Sequence, residues 1–414
     1  MNRVVITGLG AITPIGNSVK SFWSNLQQGK SGASRITKFD PQYFRTQIAC
    51  EIKDFNAADL LDRAEIKRTD HFTQYALIAA NEAIQDADID FTTMDRYEAG
   101  VIWGSGQGGM LTFEEQVVEY AENNFKPRFS PFFVPKLIAN MASGLISIKH
   151  GLKGINYTTV SACATSNTAI MDAFNYIRWG KAKVMITGGS EAPITQASVG
   201  GFCAMKAMTT RNDDPEHACR PFDKNRDGFL MGEGAGALVL EDYEHAKARG
   251  ATIYAELVGA AMTADAYHMT ATHPEGEGAY HAMRLALADG GLVPSDVDYL
   301  NAHATSTPVG DMSELKAITK LFEGNLGHLQ ISATKSMTGH LLGAAGAIEA
   351  IACVLAIRDS LIPPTINLTD LDEAIPKELN IVKEKALNKL INVAMSNTFG
   401  FGGHNGIVVF KKLV

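Results

Sequence analysis

The segment Thr159-Val160-Ser161-Ala162-Cys163-Ala164-Thr165-Ser166-Asn167 joins an apolar, strand-like run to a helix-like one that continues to about residue 180. A strand, a tight turn and a buried helix form the recurring unit of an α/β fold. A cysteine at the N-terminal end of a helix meets unpaired backbone N–H groups and the positive end of the helix dipole. The segment therefore predicts an ionised, nucleophilic sulfur. A thiolate accepts an acyl group from another thioester at little thermodynamic cost. The plain alternative for any single cysteine is a buried structural role. Its strand-turn-helix setting separates Cys163 from Cys50, Cys203, Cys219 and Cys353, which lack one and read as structural.

Outward from this segment, strand-like and helix-like runs alternate along the whole chain. Val4 to Ile6 and Ala99 to Trp103 read as strands, and Lys183 to Thr187 as the strand after the Cys163 helix. The second half has a similar outline. His340 precedes Leu341-Leu342-Gly343-Ala344-Ala345-Gly346-Ala347-Ile348, the start of a long helix whose small residues suit close packing inside a core. This reads as an internal duplication, residues 1–250 and 251–414, with the join near Arg249-Gly250. No low-complexity linker separates the halves, so they are expected to share one core.

The 414 residues are 46% hydrophobic and 20% charged, an ordinary globular balance with ample core. No charge-free apolar stretch of about 18 residues occurs, so no membrane span is expected. Met1 runs directly towards the first strand, without the apolar region of a signal peptide. Five scattered cysteines suit neither a disulfide framework nor a zinc cluster, which points to a reducing cytoplasm and no metal. A net charge of −8 argues against nucleic acid, and an acidic partner would need a local basic patch.

Two histidines lie in Gly/Thr/Ser-rich settings: Asn301-Ala302-His303-Ala304-Thr305-Ser306-Thr307 and Lys335-Ser336-Met337-Thr338-Gly339-His340. Two imidazole N–H donors can hold the enolate oxygen formed when a malonyl thioester loses CO₂. Lys335 could tune a neighbour or pair with a carboxylate, Glu314 and Glu349 being the candidates. An ordinary surface lysine has the same spacing.

Asn397-Thr398-Phe399-Gly400-Phe401-Gly402-Gly403 follows a strand-like run, and its glycines allow backbone to approach a ligand closely. An N–H from this loop with that of Cys163 would form an oxyanion hole; a simple tight turn is the alternative. Two other motifs fail. Gly104-Ser105-Gly106-Gln107-Gly108-Gly109 matches G-x-G-x-x-G, but Glu114 and Glu115 in the following helix would repel a pyrophosphate. Asp223-Lys224-Asn225-Arg226-Asp227-Gly228 resembles a calcium loop, but Gly234 stands where the bidentate Glu belongs, and a strand follows.

Taken together, the cysteine, histidine and C-terminal glycine motifs resemble the β-ketoacyl-acyl carrier protein synthases of the thiolase-like superfamily, in particular the elongating condensing enzymes of bacterial fatty-acid synthesis. Gly201-Phe202, Thr210-Arg211-Asn212-Asp213-Asp214-Pro215 and Arg220-Pro221-Phe222-Asp223 extend the likeness over essentially the whole chain. The resemblance implies a five-layer αβαβα fold of two similar halves, usually a homodimer, extending an acyl chain by two carbons to a 3-oxoacyl-carrier protein. It implies that Cys163 accepts the acyl group, that His303 and His340 promote decarboxylation, and that Lys335 supports them beside Glu314 and Glu349. Phe399 resembles a gating phenylalanine whose N–H is the second oxyanion donor, with Phe401 beside the substrate. Thr305 and Thr307 match threonines that hold the phosphopantetheine arm, which arrives on the acyl carrier protein, so no metal or redox cofactor is expected. Lys67, Arg68 and Lys206 match a basic patch for that acidic carrier. Phe133 matches a residue near the dimer interface and the partner's acyl pocket. Initiating synthases use Cys, His and Asn, and thiolases carry a second Cys in the C-terminal loop; neither pattern fits.

Two positions depart from the family. Ala304 stands where glycine is usual, and its methyl is expected to crowd the site slightly. Gln107 replaces an apolar residue in the loop that lines the acyl pocket. A buried amide without partners costs about 1–3 kcal/mol, and an alkyl chain offers none. Either Gln107 faces the pocket and marks a ketosynthase for polyene, aryl or other more polar chains in a type II polyketide-like pathway, or it points away. An inactive, chain-length-determining partner subunit is the remaining alternative, against which the intact Cys163, His303 and His340 argue.

Overall fold

The computed structural model describes residues 1–413. Numbering only the strands of the main sheet, the N-terminal half contributes β1 (Val4–Ile12), β2 (Ala99–Gly104), β3 (Asn156–Thr159), β4 (Val184–Glu191) and β5 (Gly234–Asp242). The C-terminal half contributes β6 (Ala255–Ala264), β7 (Tyr299–Asn301), β8 (Gln330–Ser332), β9 (Asn380–Ile381), β10 (Val393–Gly400) and β11 (His404–Lys411). The strand order is β3-β2-β4-β5-β1 in the first half and β6-β11-β10-β7-β8-β9 in the second, joined where β1 and β6 pair antiparallel. In each half the first strand lies antiparallel to the last, the last lies antiparallel to its other neighbour, and the outer pairs are parallel. The two halves thus repeat one topology, with β9 as an addition to the second.

Helices cover both faces of each half-sheet. The helices that matter here are α1 (Arg63–Arg68), α2 (His71–Asp86), α3 (Met110–Glu122), α4 (Phe133–Leu137), α5 (Met141–His150), α6 (Thr165–Arg178) and α7 (Gln196–Ala204). The C-terminal half adds α8 (Glu277–Asp289), α9 (Pro308–Leu321), α10 (Lys335–Thr338) and α11 (Ala345–Asp359). α2 and α5 lie outside the first sheet, and α8 and α9 outside the second. Between the sheets lie α6 and α11, each touching strands of both halves. The result is the five-layer αβαβα arrangement. Strands covered on both faces read as unbroken apolar or small residues rather than alternating ones. Accordingly, every residue of β1 and of β10 is buried. The small-residue composition of α11 has the same cause: Ala345 to Ile357 are buried all round.

The nucleophile segment differs slightly from expectation. A 3₁₀ turn, Ala162–Ala164, comes first, and α6 begins only at Thr165. Both rejected motifs are closed by the protein itself. The side chain of Arg226 reaches the carbonyl oxygens of Asp223, Thr307 and Pro308, filling the would-be calcium loop. In the glycine loop, the N–H groups of Gly106 and Gln107 donate to the buried carboxylate of Glu191, each at 2.9 Å. Among the described residues, no helix is long and apolar enough to cross a membrane.

Candidate active site

The turn that carries Cys163 is held by its own hydroxyls. Thr165 Oγ1 donates to the Ala162 carbonyl at 2.6 Å and accepts from Ser161 N at 2.8 Å. Ala162 is thereby kept left-handed, at φ 50°, a conformation that costs a non-glycine residue about 1–2 kcal/mol. Gly400, the last residue of β10, meets this turn: a Cβ there would lie 2.7 Å from Ser161 O and 2.9 Å from Cys163 N. Only a residue without a side chain lets the C-terminal loop come so close. One residue further, the backbone N–H of Phe401 faces the Cys163 sulfur and favours its ionised form. The second backbone donor is therefore Phe401. Phe399, expected in that role, pairs with Asn405 in the β10–β11 ladder and contributes its ring instead. Sequence spacing could not separate the two, because the strand end falls between them.

From Phe401 an arc of rings leads round the site. Phe401 lies 6.3 Å from Phe202, Phe202 5.3 Å from Phe229, and Phe229 5.6 Å from His340. His340 lies 5.3 Å from His303, which lies 5.7 Å from Phe399. Cys163, Phe202 and Cys203 pack against the apolar cluster of Ile194, Val199, Phe229 and Leu342. Cys163 as a residue is half-buried, whereas both histidines are buried. The structure thus brings Cys163, Phe401, His340, His303 and Phe399 into one site.

Lys335 opens α10 and is wholly buried. It forms an ion pair with Glu349, and its Nζ lies 3.4 Å from His303 Nδ1. That contact makes Nδ1 an acceptor and leaves the His303 ring proton on Nε2. Burial, then the Lys335 charge, holds both imidazoles well below their ordinary pKa, so both are neutral. Burial raises Glu349 to about 7 against the opposing pull of Lys335. Glu314, the other expected partner of Lys335, has a different contact. Its carboxylate accepts from His303 N at 2.9 Å, Ala304 N at 2.8 Å and Asn397 Nδ2 at 3.0 Å, fixing the backbone that carries His303. The Ala304 methyl is buried in the apolar cluster of the C-terminal half, which also contains Phe399.

The thiol is also not as expected. Burial pushes Cys163 up to about 12, and Lys335 and the Phe401 N–H only partly oppose it. Such a rise disfavours the thiolate by on the order of 4 kcal/mol, more than the roughly 2 kcal/mol that a helix end can return. Burial thus favours the thiol over the thiolate.

The remaining expected residues divide. Thr305 and Thr307 are partly exposed beside His303, their hydroxyls 3.1 Å apart. Gln107 accepts a 2.8 Å hydrogen bond from Ser198 Oγ. Lys67 and Arg68 are exposed on α1, and Lys206 is exposed just past α7. Phe133 is stacked 5.2 Å from Phe129 and 6.5 Å from Phe113. Sequence reading missed Glu191, whose carboxylate also accepts from Gly343 N at 2.9 Å and so ties the two halves together. A glutamate closing a strand of otherwise uncharged residues was its sequence signal.

Five layers, two repeated halves and a Cys–His–His site define a thiolase-like condensing enzyme. The family models for the beta-ketoacyl synthase N-terminal domain, over residues 1–246, and C-terminal domain, over residues 254–369, both match, and the chain belongs to the beta-ketoacyl synthase family. It is 52% identical over 410 residues to 3-oxoacyl-[acyl-carrier-protein] synthase 2 of Staphylococcus aureus strain COL, covering 99% of this chain and 98% of that one. The protein of the same name from Synechocystis is 50% identical over the same shares. Among solved structures, a beta-ketoacyl synthase from Burkholderia phymatum superposes with a TM-score of 0.92 at 35% identity, covering both chains fully. A type II polyketide ketosynthase bound to its acyl-carrier protein does so with a TM-score of 0.92 at 32% identity, again over both full chains.

Proposed function

We propose that this chain is the elongating condensing enzyme of fatty-acid synthesis, working by decarboxylating Claisen condensation. The observation that carries this reading is the convergence on one cysteine of two backbone N–H donors from one side and two neutral imidazoles from the other. In the first step the Cys163 sulfur attacks the thioester of an acyl-carrier protein. The C–S bond to the carrier breaks, the acyl group moves to Cys163, and the thiol proton ends on the departing pantetheine sulfur. The N–H groups of Cys163 and Phe401 receive the tetrahedral oxyanion. In the second step malonyl-carrier protein lies with its thioester oxygen against His303 and His340. Its C–C bond breaks, CO₂ leaves, and the electron pair becomes an enolate that accepts hydrogen bonds from the imidazoles. Neutral rings suit this role, since they donate without protonating the carbon. The carbanion attacks the acyl carbonyl, and the Cys163 thiolate leaves and takes up a proton. The product is a 3-oxoacyl-carrier protein two carbons longer. Electrons balance without a metal or redox centre, and the pantetheine arm comes with the carrier, beside Thr305 and Thr307.

The exposed Lys67, Arg68 and Lys206 supply local positive charge on an acidic body, which suits an acidic carrier protein. A homodimer is supported by the free outer edge of β3 and by the exposed apolar side chains of Phe113, Val117, Phe129, Val134 and Ile138 nearby. Phe133 would meet the site only across that interface. The cytoplasm, where carrier and substrate are made, is the expected compartment. The test is to incubate the protein with acyl- and malonyl-carrier protein and to follow the product by mass spectrometry. Folded protein that condenses no acyl length would defeat the proposal.

A further inference from the structure

The segment that imitates a calcium loop has a use of its own. Residues 302–307 carry His303 from the end of β7 to the start of α9. Ser306 in this loop is left-handed, at φ 69°, which costs a non-glycine residue about 1–2 kcal/mol, so the loop must be held from outside. At its first end Glu314 of α9 accepts from the N–H groups of His303 and Ala304. At its other end the hold comes from the N-terminal half. Gly228 N donates to Ser306 O at 3.1 Å, and Arg220 N donates to Ser306 Oγ at 3.0 Å. Arg226 donates from Nε to Thr307 O at 3.1 Å and from Nη2 to Pro308 O at 2.8 Å. Its Nη1 donates to Asp223 O and to the Asp372 carboxylate, each at 2.8 Å.

Arg226 is buried, and its acceptors lie on several sides of it. A guanidinium spans such a set because its five N–H donors form a rigid planar fork, whereas a lysine ammonium is a compact point charge. The same cation lies 3.5 Å from Asp311, whose carboxylate accepts from Thr307 N at 3.2 Å, so both backbone polar groups of Thr307 are fixed. Burial lifts Asp311 to about 6, and the Arg226 charge opposes that rise. The His303 ring, borne by this loop, must meet the same substrate oxygen as the His340 ring 5.3 Å away. A displacement of about 1 Å costs a reacting group on the order of 10²-fold in rate. The Cys163 turn, by contrast, is held by Thr165 and lies outside this clamp. With decarboxylation at His303 and His340, the reading on which this rests, we infer that Arg226 is a positioning residue for the second step, reaching from the N-terminal half to fix the loop that aims His303.

The experiment uses the full chain and compares wild type with Arg226→Lys. Acylation of Cys163 by acyl-carrier protein is followed by intact mass, and CO₂ release from malonyl-carrier protein is followed separately. Both rates are taken per folded protein, by circular dichroism. In Arg226→Lys, CO₂ release falls about 10–100-fold while acylation stays within about twofold. Equal falls in both steps, which lost stability alone would give, overturn the inference, and so does unchanged CO₂ release. If Arg226→Lys fails to fold, Asp372→Asn removes only the outer anchor of the guanidinium. The same selectivity for CO₂ release, at about two- to fivefold, or its absence then decides. The His303 ring is also read without turnover, as its ¹³Cε1 NMR resonance, assigned by its loss in His303→Gln. The resonance moves in Arg226→Lys, and a resonance left in place overturns the inference. A wild-type protein that is acylated but releases no CO₂ defeats the condensing reading, and the resonance alone then decides whether Arg226 sets the ring.

Discussion

The turn at Ala162–Ala164 and the turn at Leu342–Ala344 are the same structure used twice. Each is a 3₁₀ turn leading into a central helix, and each begins with a left-handed non-glycine residue, Ala162 at φ 50° and Leu342 at φ 47°. The middle residue is Cys163 in one and Gly343 in the other. In the N-terminal half the turn presents a sulfur to the site. In the C-terminal half it presents a backbone N–H to Glu191, and a Cβ on Gly343 would lie 2.5 Å from that carboxylate and 2.7 Å from Gly106 N. The scaffold is duplicated but the chemistry is divided. On the proposed mechanism one half holds the acyl group, and the other, through His303, Lys335 and His340, generates the carbanion.

That division is broken most directly by removing one side at a time. Cys163→Ala should lose the acyl-enzyme, and with it condensation by at least about 10³-fold. His303→Ala should still form the acyl-enzyme by intact mass while losing CO₂ release from malonyl-carrier protein. If His303→Ala blocks acylation as severely as Cys163→Ala, the two halves do not work separately. The protonation of the sulfur gives the next effect. Alkylation requires thiolate, and a thiol raised to about 12 is protonated throughout the neutral range. The iodoacetamide rate should therefore climb about tenfold per pH unit, roughly a thousandfold between pH 7 and 10, without levelling off. A plateau near neutrality would mean the turn ionises the sulfur after all.

Smaller effects concern stability. Lys335→Met removes the cation that holds Glu349 down at about 7, so the carboxyl is protonated at neutral pH in the variant. The loss of stability should be small at pH 6 and grow towards about 3–5 kcal/mol as alkaline pH forces an unpaired buried carboxylate, which denaturation at several pH values measures. Gly343→Ala should cost about 1–3 kcal/mol in urea unfolding, because backbone and a buried carboxylate must move. The matching change in the other half, Ala162→Gly, relieves a left-handed residue and should change stability by no more than about 1 kcal/mol. Equal losses at both sites would mean that the two turns are constrained alike.

Cys163, His303, His340 and Lys335 were legible in the sequence because their small and polar flanks are unusual over several consecutive residues. The repeated αβαβα topology was legible from the alternation of elements and the apolar runs of strands covered on both faces. What the sequence could not carry depends on contacts between distant segments. Glu314 supports His303 through backbone N–H groups, Glu191 reaches both Gly106 and Gly343, and Ser198 finds Gln107, none of which spacing encodes. The environment of the sulfur was not legible for a related reason. The helix end is visible in the sequence, whereas the burial that outweighs it exists only once both halves close around it.

Glu191 gives the assembly one further property. Its buried carboxylate is held by Ser105 Oγ and the N–H groups of Gly106 and Gln107 from its own repeat and by the N–H of Gly343 from the other. A chain severed near Arg249 would strip the carboxylate of its Gly343 donor and expose it at the broken face, so the first repeat, however like the second, would carry an unfinished joint in its core.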